Sequence, residues 1–206
     1  AKYLGYDLPV HKLRYIVTGE SFPENFRINL QNQAQVSPEK PFLYSFYGSA
    51  DTGILGTESL ASICLRKILY QNPVVASRLG FNNSIPDFFH FTPKDAFLET
   101  HEKGILVTEW QETPLFRYLL ADKVSFYSWQ DLKQKLISAS ANENICPQLL
   151  DVINNSSDYF PDIIALTGRT DTTIILLGGN FSQYLLEEII KHEDLQHILT
   201  GIYYAQ

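Results

Sequence analysis

The chain has no methionine and only two cysteines, Cys64 and Cys146. Two cysteines so far apart do not make a disulfide framework, and a reducing, cytoplasmic location is expected. Basic residues are few: 16 Lys and Arg stand against 23 Asp and Glu, a net charge of −7. A surface that neutralises nucleic-acid phosphates is therefore not expected. A nucleotide remains compatible with this balance, because backbone amides and one or two basic side chains suffice to hold it. The apolar runs are short, as in IILL at 174–177, so no membrane span is expected. The first residues, AKYLGYDLPV, lack the apolar stretch of a secretory leader, so the three Asn-x-Ser matches at Asn82, Asn154 and Asn180 carry little weight. The five histidines have no ligand spacing, which argues against zinc. Neither a Gly-x-Ser-x-Gly elbow nor a phosphate-loop Gly-Lys-Ser/Thr signature occurs, which argues against a serine hydrolase and a P-loop nucleotidase.

What is present is material for a packed core. Hydrophobic residues make up 45% of the 206 and charged residues 19%, the balance of one folded domain or one domain plus part of another. LRYIVTG at 13–19 reads as a buried strand. Ser21 and Glu24 then form a capping-box pattern ahead of a helix whose Phe22, Phe26 and Leu30 share a face. PFLYSFYGS at 41–49 reads as a second strand, and strand, helix, strand at this spacing predicts a parallel βαβ unit. Such units bind ligands beyond the carboxyl ends of their strands, here TGE at 18–20 and YGSAD at 47–51. A helix is expected through ESLASICLRKILYQN, ended by Pro73.

From about residue 85 aromatic and β-branched residues dominate, which predicts an antiparallel sheet or a barrel-like segment with a turn at Glu102-Lys103-Gly104. Residues 129–154 read as helical with a break at Cys146-Pro147. DIIALTGR and TIILLGGNF are expected to pair as a hairpin about Thr170-Asp171-Thr172, ahead of a helix capped by Ser182. The fold class is thus α/β (α+β), divided as 1–84, 85–168 and 169–206.

Three segments carry candidate chemistry. In FYGSADTGILG, Tyr47 offers a ring to a base, Gly48 a close backbone approach, Ser49 a hydroxyl and Asp51 a carboxylate for a hard cation. In GILVTEWQETPLFRYLLADKV, Arg117 and Asp122 fall near opposite ends of one expected strand, and Asp122 suits two ribose hydroxyls. In TGRTDTTIILLGGNF, Arg169 and Asp171 flank a turn. Each has a plainer reading: a polar turn, a surface carboxylate beside Lys123, a charged hairpin tip. His90, in DFFHF, reads more readily as a core histidine than as a pocket residue.

Taken in order, the segments resemble a known family. YGSAD resembles the Tyr-Gly-Ser/Thr-x-Glu motif of adenylate-forming enzymes. TEWQETPLFRYLLAD resembles their Thr…Pro-Leu-x-Arg-Tyr…Asp motif. GRTDTTIILLGGNFSQYLLEEII resembles the Gly-Arg-x-Asp…Ile-Glu motif that begins their small mobile C-terminal domain, and LRYIVTGESFPENFR resembles the strand bordering their adenine pocket. The match covers about 13–192 and is closest to the phenylacetate–CoA ligase-like branch. The resemblance implies an AMP-forming ligase that uses ATP and Mg²⁺, adenylates a small carboxylic acid and passes it to CoA or another thiol. It implies Gly19 and Glu20 at the adenine pocket, Tyr47 on adenine, Gly48 and Ser49 near the α-phosphate, and Asp51 at Mg²⁺. It further implies Asp122 on ribose, Arg169 on ribose or phosphate, and Asp171 as hinge.

The phosphate loop and the catalytic lysine of that family have no counterpart here. Lys191, four residues after Glu187 on an expected helix, suits an ion pair. The chain is therefore expected to be a fragment that is inactive alone. The alternative is a degenerate module that binds a nucleotide or a partner without catalysis. Replacing Asp122 by Ala is expected to weaken nucleotide binding with little effect on folding.

Overall fold

The computed structural model describes residues 16–19, 22–37, 40, 43–82, 84–91, 96–110, 113–156, 162–170, 173–176 and 179–182. The chain begins with β1 (Ile16–Thr18), α1 (Glu24–Gln33), β2 (Leu43–Ser49) and β3 (Gly53–Thr57). α2 (Leu60–Gln71), α3 (Pro73–Arg78) and β4 (Asp87–Phe91) follow. Next come β5 (Ala96–His101), β6 (Gly104–Glu109), β7 (Leu115–Leu120) and β8 (Asp122–Ser128). α4 (Trp129–Ser140), α5 (Pro147–Asn154), β9 (Asp162–Arg169), β10 (Thr173–Leu176) and β11 (Gly179–Ser182) complete it.

A six-stranded sheet in the order β1-β2-β3-β4-β9-β8 organises the molecule. β1 and β2 run parallel around α1, as the βαβ reading requires, and the remaining neighbours are antiparallel. Strands from both sides of the expected division at residue 84 pair in this one sheet. Alternation splits its two faces. Phe88, Ile163 and Ala165 join the helices in one core, with Leu65, Ile68, Trp129, Leu132, Leu136, Leu149 and Ile153. Phe89, Phe91 and Ile164 turn the other way and meet Val107, Ala96, Leu98 and Leu120 of a second sheet, β5-β6-β7. The layers are helices, mixed sheet, antiparallel sheet. The second sheet is open among the described residues: β5 and β7 each pair only with β6, and no barrel closes.

Local chemistry accounts for the helices. Ser59 accepts from the Ser62 amide and the Ser62 hydroxyl accepts from the Ser59 amide, a full capping box for α2. Pro73 ends the register and occupies the first turn of α3, where its missing N–H costs nothing. Ser128 caps α4, whose Trp129, Leu132, Leu136 and Ser140 recur at helical spacing and are buried. The expected break before Pro147 widens into the connection at 141–146.

Four expectations are corrected. β1 is an edge strand with Val17 53% exposed, so it is not buried. α1 turns polar residues inward: Glu24, Arg27 and Gln31 are buried while Phe26 is 49% exposed, and Pro23 holds the N-cap position. Residues 115–128 form two strands of different sheets, broken at Ala121, so Arg117 and Asp122 do not share a strand. Among the described residues β9 does not form the expected hairpin with the strand that follows it. Both its edges are taken, by β4 and β8, and β10 pairs with β11 instead. Glu20, Ser21, Asp171, Lys191 and the helix expected after Ser182 lie outside the described residues.

The inward polar face of α1 meets a matching one. The Arg27 guanidinium, fully buried, donates to Glu24 Oε2 at 2.7 Å and to Glu58 Oε2 at 2.6 Å. Glu58 Oε2 also accepts the Ser45 amide at 2.7 Å, and Arg66 reaches Asp87 at 2.8 Å and Glu24 at 3.3 Å. α1, α2, β2 and β4 are thus joined by hydrogen-bonded charges where an apolar face was expected. Such a cluster is weak evidence of net stabilisation, but removing one member is costly.

Candidate functional site

β2 ends in a tight connection to β3. Ala50, Asp51 and Thr52 make the turn, and Gly53 follows at φ +63°, a conformation that favours glycine. The two strands approach so closely that a Cβ at Gly48 would lie 1.9 Å from the Gly53 carbonyl oxygen. Gly48 is therefore demanded by the hairpin itself. Ser49 and Thr52 lock the turn. The Ser49 amide donates to Thr52 Oγ1 at 3.2 Å, the Thr52 amide donates to Ser49 Oγ at 3.1 Å, and the two hydroxyls lie 3.0 Å apart.

β8 and β9 bring the second group of residues to this hairpin. Their register sets Asp122 directly opposite Arg169. Arg169 Nη1 donates to Asp122 Oδ1 at 3.3 Å, and the Tyr47 hydroxyl donates to Asp122 Oδ2 at 2.8 Å. The side chains of Asp122 and Arg169 are 13% and 29% exposed, so solvent screens the pair and it contributes no more than about 1 kcal/mol. Burial, the Asp122 charge and the hydrogen bond to it all push the Tyr47 phenol well above its ordinary pKa, so it stays a neutral donor. Its ring stacks on Phe89, with centroids 5.7 Å apart.

These groups border a cleft of about 560 Å³, within the range of small-molecule sites. Gly19, Tyr47, Gly48, Ser49, Asp122 and Arg169 all line it. Sequence reading singled out those six. It missed the apolar walls, Phe46, Ile54, Phe89 and Leu166. The Phe-Phe pair in DFFHF was the available signal, since alternation must send one ring to each face of β4. Gly19 leaves room for the Phe46 ring, which a Cβ there would meet at 2.7 Å.

Asp51 does not line the cleft. Its Oδ2 accepts the Tyr118 hydroxyl at 2.7 Å, and that carboxylate lifts the Tyr118 pKa. Among the described residues no three His, Cys, Asp or Glu side chains gather as a metal-ligand group. His90 is a structural residue, with Nε2 2.7 Å from Ser59 Oγ and its ring edge-on to Trp129 at 5.4 Å. Cys64 and Cys146 are both free. Among the described residues no helix is long and apolar enough to cross a membrane. No protein-family model, curated protein or solved structure matches the chain, so any family reading rests on these residues and their geometry.

Proposed function

We propose that this chain is the nucleotide-binding part of an AMP-forming ligase of the phenylacetate–CoA ligase-like branch. Its parent would activate a carboxylic acid with ATP and transfer it to CoA or another thiol. The observation that supports this is convergence. Residues from four separate sequence segments, Gly19, Tyr47 to Ser49, Asp122 and Arg169, border a single cleft.

The chemistry of Asp122 suits a ribose. An ionised carboxylate has about four lone-pair sites. Tyr47 and Arg169 occupy one on each oxygen, which fixes the group and leaves two acceptors for two vicinal hydroxyls. Phe46, Phe89 and Leu166 supply apolar surface for the base. Holding the nucleoside in one orientation lets a substrate carboxylate oxygen bond to the α-phosphorus of ATP while the α,β-phosphoanhydride breaks and pyrophosphate leaves, as an effectively unimolecular step.

Calorimetric titration with AMP and with a stable acyl-adenylate mimic tests the reading. Both are expected to bind, and Asp122→Asn is expected to lower affinity about tenfold, the loss typical of one charge-assisted hydrogen bond. Unchanged affinity in Asp122→Asn would contradict it. A second reading, a degenerate module that binds without catalysis, is favoured by the engagement of Asp51 with Tyr118. Carboxylic-acid-dependent ATP–pyrophosphate exchange by the full-length protein would exclude this second reading.

A further inference from the structure

We infer that the chain has a second binding site, on the face of the six-stranded sheet opposite the Tyr47 cleft, for a small apolar molecule that ends in a primary carboxamide. This site is independent of the nucleotide reading.

A cavity of about 520 Å³ lies between the start of α1, the α2–α3 corner and residues 81–85. That volume admits a ring with a polar head. Its apolar walls, Leu69, Ala76, Phe81 and Ile85, belong to the helix-side core or pack against it. Tyr47, Phe89 and Leu166 of the cleft belong to the other core. Phe81 is held edge-on by Phe88 at 5.6 Å and by Tyr127 at 6.0 Å, so its ring is a fixed wall. Ser77, Asn82 and Ser84 are exposed and make a polar mouth.

The floor carries the specificity. Glu24 and Arg66 line the cavity although they are only 2% and 7% exposed. Both are anchored from one side. Glu24 Oε2 accepts from Arg27 at 2.7 Å and from Arg66 at 3.3 Å. Arg66 Nη1 also donates to Asp87 at 2.8 Å, and its Nη1 and Nη2 each donate to the Phe22 carbonyl at 3.1 Å. Each side chain keeps one buried polar atom without a partner, Glu24 Oε1 and Arg66 Nε. Such atoms are seldom left unmet in a folded protein, because they have given up water for nothing.

Ionised Glu24 calls for a donor and the Arg66 Nε–H for an acceptor. The ion pair between the two residues keeps these atoms close, since each is bonded to the same carbon as an atom of the pair. A primary carboxamide offers an N–H and a C=O at that spacing, and it adds no charge to a buried ionic cluster. A carboxylate would bring Glu24 a second anion. An ammonium has no acceptor for Arg66.

The test is a two-dimensional NMR titration of the native protein and Ser77→Trp with benzamide, benzoate and benzylamine, each to about 10 mM, a range suited to ligands of so few atoms. Benzamide is expected to shift the amides of Leu69, Ala76, Phe81 and Ile85 and to saturate. Benzoate and benzylamine are expected to bind at least about tenfold more weakly, since each leaves a buried group unmet. Ser77 is exposed at the mouth, so Ser77→Trp is expected to keep the native melting temperature and lose the benzamide response. The comparison of the three probes on the native protein does not depend on that variant. No benzamide shifts, shifts centred elsewhere, equal binding of the three probes, or full benzamide binding by Ser77→Trp would each overturn the inference.

Discussion

The Tyr47 hydroxyl donates to Asp122 Oδ2 at 2.8 Å, joining two residues 75 positions apart. Tyr47 lies in β2 and Asp122 begins β8, the far edge of the same sheet. The bond closes the cleft wall and ties Asp122 to the hairpin. The expectation that Asp122→Ala spares folding therefore needs correction. Truncation leaves the buried Tyr47 phenol without its acceptor, and such an orphan costs about 1–3 kcal/mol. Urea denaturation is expected to show Asp122→Ala destabilised by about that amount, with Asp122→Asn milder because its amide oxygen still accepts.

Tyr47 also predicts a pH dependence at the alkaline end. Its pKa is raised by burial first, then by the Asp122 charge. In the unfolded chain it titrates near 10, so above that pH the folded state holds the proton longer. Stability from this group is full below pH 10 and falls as pH rises through the folded value. Tyr47→Phe should flatten that alkaline slope in denaturant midpoints measured from pH 9 upward, while costing about 0.5–1.5 kcal/mol near neutrality.

The buried charge cluster predicts a larger effect. Arg27 neutralises two carboxylates, Glu24 and Glu58, in a fully buried position. Arg27→Ala is expected to cost about 3–5 kcal/mol, because it takes the guanidinium from buried Glu58 and leaves Glu24 with Arg66 alone. Burial outweighs Arg27 and Arg66 in pushing the Glu24 pKa up from 4.5. A raised carboxyl stabilises the fold most below its unfolded value and loses that contribution as pH climbs through the folded one. Glu24→Gln should remove part of the fall in stability as pH rises above about 4.5, read by chemical denaturation at each pH.

The hairpin predicts a sharp requirement for glycine. Because a Cβ at Gly48 would fall 1.9 Å from the Gly53 carbonyl oxygen, Gly48→Ala must push β2 and β3 apart. A cost of about 1–3 kcal/mol is expected, as in overpacked cores, with lost ligand binding. Circular dichroism melts and binding measured on one sample check both. Gly48→Ala with native stability would contradict the close approach.

The sequence showed elements whose signal is local and periodic. α2 announces itself by its helical pattern and the closing Pro73, and β4 by an aromatic run. It misled where partners decide the outcome. α1 shows apolar residues at helical spacing, yet Arg66 and Glu58 draw its polar side inward. The stretch 115–128 has no glycine or proline to mark the break at Ala121, so two strands of different sheets read as one. Pairing of β9 with β4 and β8 is set by distant segments, which a hairpin pattern cannot reveal. Asp122 and Tyr47 could be linked only through resemblance, because nothing local to either encodes a bond across 75 positions.

The central claim, that this cleft holds a nucleoside through Asp122, is tested most directly by a two-dimensional NMR titration of the native protein and Asp122→Asn with adenosine. The account predicts amide shifts centred on Tyr47, Ser49, Phe89, Leu166 and Arg169, saturating with one ligand, and about tenfold weaker binding in the variant. Shifts centred elsewhere, or equal affinity in native protein and Asp122→Asn, would contradict it.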